Sequence, residues 1–136
     1  MDTFVPNQRS EIMRRVRSSG TKPELVVRSI LRRMRIKYRS CPSNLPGKPD
    51  LVIVRQQKAI FVHGCFWHGH YCEAGKLPKS NRSYWRNKQT RNAARDLRNS
   101  SALRSTGWKQ MVIWECELRG GERLLARLSR FLRPRP

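Results

Sequence analysis

The chain has 136 residues, and its 30 Lys and Arg face only 9 Asp and Glu, a formal net charge of +21. That length suits one domain with a single modest core. No run of about 18 apolar residues exists, which excludes a membrane-spanning helix, and Met1 to Ser10 lacks the apolar stretch of a secretory signal, so a cytoplasmic location is expected.

Gln8 to Ser18 reads as a short basic helix with Ile12, Met13 and Val16 on one side, broken by Ser18-Ser19-Gly20. Thr21-Lys22-Pro23-Glu24 has the form of a capping box, and a helix follows through about Arg35, with Val26, Val27, Ile30, Leu31 and Met34 at helical spacing. Ile36 to Ser40 suits a strand, and residues 43–49 (SNLPGKP) a turn. Asp50 then opens Leu51 to Val54, a buried strand, and Ala59 to Val62 is a second, close enough for a hairpin. Residues 63–80 are irregular. Ser83 to about Ser105 is a long, very basic helix with few apolar positions, and Trp108 to Trp114 is a third buried strand. Leu124, Leu125, Leu128, Phe131 and Leu132 form the stripe of a terminal helix, ended by Pro134 and Pro136. This order predicts one α/β domain over 1–136, with a central mixed sheet flanked by helices.

The charge is unevenly laid out. Residues 9–39 carry 11 basic and 2 acidic side chains, and residues 76–109 carry 10 and 1. Between them lies a near-neutral stretch that holds all three histidines, His63, His68 and His70, and three of the four cysteines. Charge of this size repels itself unless a polyanion absorbs it, so nucleic acid is the expected partner and an anionic membrane surface the weaker alternative.

Cys65, His70 and Cys72 give Cys-x4-His-x-Cys, with Cys116 following after 43 intervening residues. Three thiolates and one imidazole make a common closed set for structural zinc. Buried free cysteines would explain any one of them equally well, whereas a disulfide needs an oxidising compartment. Cys41 is outside this set and reads as a small apolar filler.

Pro49-Asp50 starts the first strand of the hairpin, where a carboxylate can hold a hard divalent cation or simply cap the turn. The second strand delivers His63, with His68 five residues on, and an imidazole moves protons near neutral pH. Carboxylate, histidines and excess positive charge together suit metal-assisted phosphodiester hydrolysis. Phe66-Trp67 sits in the same loop, before Tyr84-Trp85, and these aromatics can pack over a zinc site or wedge into a base stack.

HGCFWHGHYC (63–72), LPGKPDLVI (45–53), Tyr84-Trp85 and VIWEC (112–116), in this order, resemble the very short patch repair (Vsr) mismatch endonucleases over roughly residues 7–132. The resemblance implies a restriction-endonuclease-like fold with a structural zinc. It also implies magnesium-dependent nicking of double-stranded DNA 5′ of the thymine in T:G mismatches, which arise when 5-methylcytosine deaminates. It assigns Asp50 and the backbone carbonyl of Val62 to magnesium, and His63 and His68 to the chemistry. Glu24 becomes a supporting acid, with the capping box as its other reading. Cys65, His70, Cys72 and Cys116 match the zinc ligands. Phe66, Trp67 and Trp85 match intercalating aromatics, and Met13 a residue entering from the opposite groove. Lys88 and Asn92 match recognition positions, a solvated basic face being the plainer alternative.

In this loop Gly69 and Tyr71 replace two histidines common in the family, and Val62 stands where threonine is frequent. Phe61-Val62-His63 replaces the Glu/Asp-x-Lys of the wider nuclease fold. The expected protein is a monomer that avoids membranes, associates with the nucleoid through DNA, and is linked functionally to a cytosine-5 methyltransferase and repair proteins. Competing readings are a zinc-stabilised DNA-binding module, a restriction-type or nonspecific DNase on the same fold and, third, an RNA-binding protein.

Overall fold

The computed structural model describes residues 22–40, 42 and 44–132. The expected helix over 8–18 with Met13, the Thr21 cap, Cys41, and Pro134 and Pro136 lie outside the described residues.

Helix α1 (Lys22–Arg33) buries Val27 and Leu31 on one face together with Glu24. It ends two residues earlier than expected because Arg35 turns left-handed, at φ 58. The Arg35 N–H then bonds to the Arg32 carbonyl and the Ile36 N–H to the Leu31 carbonyl, both at 3.0 Å, which is the Schellman closure of a helix. The strand expected over 36–40 shrinks to β1 (Arg39–Ser40), while Ile36 and Tyr38 pack their side chains onto the core instead.

β2 (Leu51–Ile53) is buried throughout. Val54, expected inside it, is 51 % exposed, because residues 54–56 form the 3₁₀ turn that reverses the chain into β3 (Lys58–His63). The hairpin is antiparallel, with Leu51 opposite Ile60 and Ile53 opposite Lys58. Helix α2 (Arg82–Ser105) carries the chain across to β4 (Lys109–Trp114), which lies parallel to β3 in the order β1-β2-β3-β4. Helix α3 (Glu122–Leu132) follows.

Strand alternation divides the core between the two faces of the sheet. Leu51, Ile53, Ile60, Met111 and Ile113 meet Val27 and Leu31 of α1 and Leu124, Leu128 and Leu132 of α3. Each fully buried leucine contributes about 1.5–3 kcal/mol of transfer free energy. On the other face Val52, Ala59 and Phe61 meet Leu103 of α2. Leu103 is the one buried residue of that 24-residue helix, so α2 docks by its C-terminal end and leaves its basic N-terminal half to other work. No helix among the described residues is long and apolar enough to cross a membrane.

Candidate active site

The antiparallel register carries Asp50, one residue before β2, to the far end of β3. There the Val62 N–H donates to Asp50 Oδ2 at 2.7 Å, so a carboxylate takes the place of the next ladder partner. In an extended strand a residue's N–H and C=O leave by the same edge. The Val62 carbonyl therefore opens toward Asp50 as well. Behind Asp50 lies Glu24, fully buried and ion-paired with Arg28. Burial pushes the Asp50 carboxyl up to about 6; the Val62 N–H opposes that shift, and the neighbouring Glu24 carboxylate reinforces it. Paired acidic oxygens with an open backbone carbonyl are the hard donor set that suits magnesium.

His63 ends β3 and is nine-tenths buried. His68 comes from the irregular loop beyond it and lies flat against His63, ring centroids 3.8 Å apart and planes 2° from parallel. Burial lowers His63 to about 4; the adjacent His68 adds to the effect and Asp96 works against it. His63 is thus a neutral imidazole at neutral pH. His68 Nδ1 sits 2.5 Å from Asp96 Oδ2. Asp96 thus stands where it can accept from Nδ1, which leaves Nε2 on the other side of the ring.

Asp50, His63, His68 and Asp96 line one cleft of about 520 Å³ between the hairpin and α2. The expected trio Asp50, His63 and His68 is brought together there, with Glu24 buried behind Asp50. Asp96 is a residue that sequence reasoning missed. Its signal was present: it is the one acid among ten bases in 76–109.

The second cluster lies next door. Donor atoms of Cys65, His70, Cys72 and Cys116 all fall within 4.8 Å of one another. The loop closes on itself through the His70 N–H to the Cys65 carbonyl, 2.9 Å, and the turn after β4 joins through the Cys116 N–H to Cys65 Sγ, 3.4 Å. Burial pushes the Cys65 thiol up to about 12, so a thiolate there needs a cation beside it. Three sulfurs, one imidazole and no open position fit a structural zinc. Trp114, the last residue of β4, packs against all three histidines: its ring centroid is 4.2 Å from His70, 5.3 Å from His63 and 6.2 Å from His68. One indole thereby separates the soft donor cluster from the cleft.

Phe66, Trp67 and Trp85 form an edge-to-face group with centroids 5.3–6.0 Å apart. Helix α2 holds this loop by its carbonyls. Gln89 Nε2 donates to the carbonyls of Phe66 (2.6 Å) and Gly75 (3.2 Å), and Asn92 Nδ2 to that of Trp67 (2.7 Å). Asn92, expected to face DNA, therefore also orients an aromatic. Gln89 was not foreseen. Lys88 is exposed, its Nζ 5.9 Å from the centre of the Tyr84 ring.

Residues 1–74 match the family model described as DNA mismatch endonuclease Vsr. The chain is 45 % identical over 133 residues, 98 % of each chain, to the type II nicking enzyme V.XorIIP of Xanthomonas oryzae pv. oryzae. It is 41 % identical over 132 residues to the type II nicking enzyme V.NmeAIP of Neisseria meningitidis, covering 97 % of this chain and 94 % of that one. Against the DNA mismatch endonuclease Vsr of Escherichia coli it is 39 % identical over 116 residues, 85 % of this chain and 74 % of the relative. Among solved structures it is similar to the catalytic domain of the homing endonuclease I-Bth0305I, with a TM-score of 0.58 at 23 % identity over 82 % of this chain and 94 % of that one, a likeness of fold.

Asp50 yields a stability prediction. Its folded pKa lies above the ordinary 3.8, so ionising it works against the folded state. The penalty is absent below pH 3.8, grows up to about 6 and is complete above that. Asp50→Asn keeps an acceptor for the Val62 N–H and offers Glu24 a donor. In magnesium-free buffer, urea titrations are expected to find it about 1–2 kcal/mol more stable than the wild type at pH 7.5, after discounting for partial exposure. The gap should close below pH 4; a constant or absent gap would contradict the burial of this carboxylate.

Proposed function

The chain belongs to the Vsr DNA mismatch endonuclease family, and we propose that it nicks duplex DNA 5′ of the thymine of a T:G mismatch by magnesium-dependent phosphodiester hydrolysis. The observation that carries this reading is the meeting of Asp50, the stacked His63 and the His68–Asp96 pair in one cleft of a protein of charge +21.

Asp50 and the Val62 carbonyl would hold magnesium, with Glu24 supporting Asp50 from behind. A bound magnesium ion polarises the phosphate and eases deprotonation of water. His68 takes the proton from the attacking water on Nε2, because Asp96 fixes the opposite nitrogen as the donor and stabilises the imidazolium that results. His63 stays neutral and offers a hydrogen bond to the phosphate, which favours His68 over His63 as the base.

Phe66, Trp67 and Trp85 form the wedge, and Met13 enters from the other groove. A mismatched step opens more cheaply than a paired one, so the deformation itself selects the lesion. The basic stretches, including Lys88 on α2, contribute salt-dependent phosphate contacts, and Asn92 adds a contact near the wedge. Cys65, His70, Cys72 and Cys116 hold zinc, which keeps the wedge loop still and takes no part in the chemistry.

A monomer suits the sheet edge. On the outer side of β4, Glu117 accepts the Trp114 N–H at 3.0 Å, Arg127 donates to the Val112 carbonyl at 3.4 Å, and the two side chains pair. An edge capped in this way resists pairing with another strand. The T:G substrate ties the protein functionally to a cytosine-5 methyltransferase, since deamination of that enzyme's product creates the lesion, and the nick hands the DNA to repair proteins. The relatives at 45 % and 41 % identity are both named type II nicking enzymes. This favours a second reading, a nick set by sequence context with weak regard for the mismatch.

An end-labelled duplex series separates these. With magnesium, one nick 5′ of thymine is expected in T:G, at least about tenfold faster than in the matched T:A duplex. Asp50→Ala should abolish cutting while retaining binding, and Trp67→Ala should narrow the T:G preference. Equal cutting of matched and mismatched DNA would overturn the mismatch reading, and cutting by Asp50→Ala the assignment of the ligand. Metal analysis of the purified protein should also find about one zinc per chain, lost in Cys116→Ser with a lower melting temperature. A zinc-free protein with an unchanged melting temperature would remove the zinc.

A further inference from the structure

Among the described residues four that are not glycine hold a left-handed backbone: Arg35, Lys48, Gln57 and Asn81. Each has a local reason. Arg35 closes α1 through its Schellman bond, Gln57 closes the hairpin turn with its N–H on the Val54 carbonyl, and asparagine tolerates this region at position 81. Lys48, at φ 49, closes a turn in the same way, its N–H on the Leu45 carbonyl, but its neighbours constrain it further. It follows Gly47, itself left-handed at φ 79, and precedes Pro49, and a proline narrows the residue before it toward extended backbone. Glycine would meet all these demands without strain, whereas lysine does not.

The turn is also firmly seated. A Cβ at Gly47 would come within 2.9 Å of the Asn99 Cβ and 3.1 Å of the Phe61 ring, so the backbone is packed between β3 and α2. The Lys48 N–H bonds to the Leu45 carbonyl at 3.2 Å. That bond belongs to the backbone and asks nothing of the side chain. Lys48 lines the cleft beside Asp50, His63, His68 and Asp96, and it makes no ion pair with any described residue. A cation on a constrained backbone, with no ion-pair partner among the described residues, thus belongs to the wall of the cleft read as the nuclease site. Strain of this kind persists where the surrounding structure enforces it, and it gathers at functional sites.

We propose that Lys48 is a catalytic residue of the nicking reaction: its ammonium contacts a non-bridging oxygen of the scissile phosphate and offsets the charge that builds there in the transition state. This rests on the cleft being the nuclease site. Lys48 forms no bond and keeps its proton. The water oxygen bonds to phosphorus, His68 receives the water's proton, and the bond from phosphorus to the departing sugar oxygen breaks, that oxygen taking a proton from solvent. In this fold's usual arrangement the lysine lies two residues beyond an acid on the second strand. Here His63 occupies that place, and the cation comes from the turn before β2 instead.

Lys48→Gly tests the proposal because its two consequences have opposite signs. It removes both the strain and the charge, so the melting temperature should rise. Single-turnover nicking of a saturating T:G duplex should nonetheless fall by about 10–100-fold. Lys48→Met, which keeps the strain and loses the charge, should be as slow, and Lys48→Arg should lie nearer the wild type than either. A general phosphate contact would behave otherwise, weakening binding and lowering the salt slope by about one with the saturating rate unchanged. That outcome, or Lys48→Gly and Lys48→Met cutting within about threefold of the wild type, overturns the proposal. Asp50→Ala in the same assay tells the two failures apart. If it is inactive while both Lys48 variants cut normally, only the role of Lys48 falls; if it cuts, the reading of the cleft falls with it.

Discussion

A single hydrogen bond, from the Val62 N–H to Asp50 Oδ2, fixes the relation between the core and the site. It extends the β2–β3 ladder by one step, with a side chain in place of a backbone acceptor. The register that allows it is set by burial: Leu51 and Ile60 face each other within the core, and a slip of one residue would turn every side chain of the strand to the opposite face. His63 would then leave the cleft and Val62 would enter it. The packing of Leu51, Ile53 and Ile60 therefore decides where the chemistry sits, although none of the three takes part in it.

The groups on that frame are held in electrostatically costly states. Asp50 is a carboxylate pushed up by burial and by Glu24, and His63 an imidazole pushed down by burial and by His68. Folding does not need either shift. Both become useful when a cation and a phosphate arrive, which relieve the carboxylates and give the neutral imidazole something to donate to. The soft donors are kept apart from the hard ones by Trp114, so two cations of different chemistry can be held by residues only a few positions apart in sequence.

Patterns of local origin were legible in the sequence. The apolar runs gave β2, β3 and β4, the long basic stretch gave α2, and the cysteine and histidine spacing gave the soft cluster. What escaped depends on contacts between distant segments. Asp96 meets His68 across 28 residues and Gln89 meets Phe66 across 23, and neither has a neighbour in sequence that reveals its partner. The errors at Val54 and over 36–38 have one cause. Apolar residues at the end of a short strand are drawn by the turn that follows or by the adjacent core, and periodicity does not register turns imposed by left-handed residues such as Arg35 and Gln57.

The proposed convergence of a carboxylate and two imidazoles on one phosphate is open to direct inspection. A crystal structure of the protein on a T:G duplex with calcium, which holds the magnesium site without supporting cutting, should place the ion about 2.3–2.6 Å from an Asp50 oxygen. The phosphate 5′ of the thymine should share that ion, with His68 Nε2 facing the side where water attacks. An ion bound elsewhere, or a duplex whose phosphates bypass the cleft between the hairpin and α2, would contradict the account.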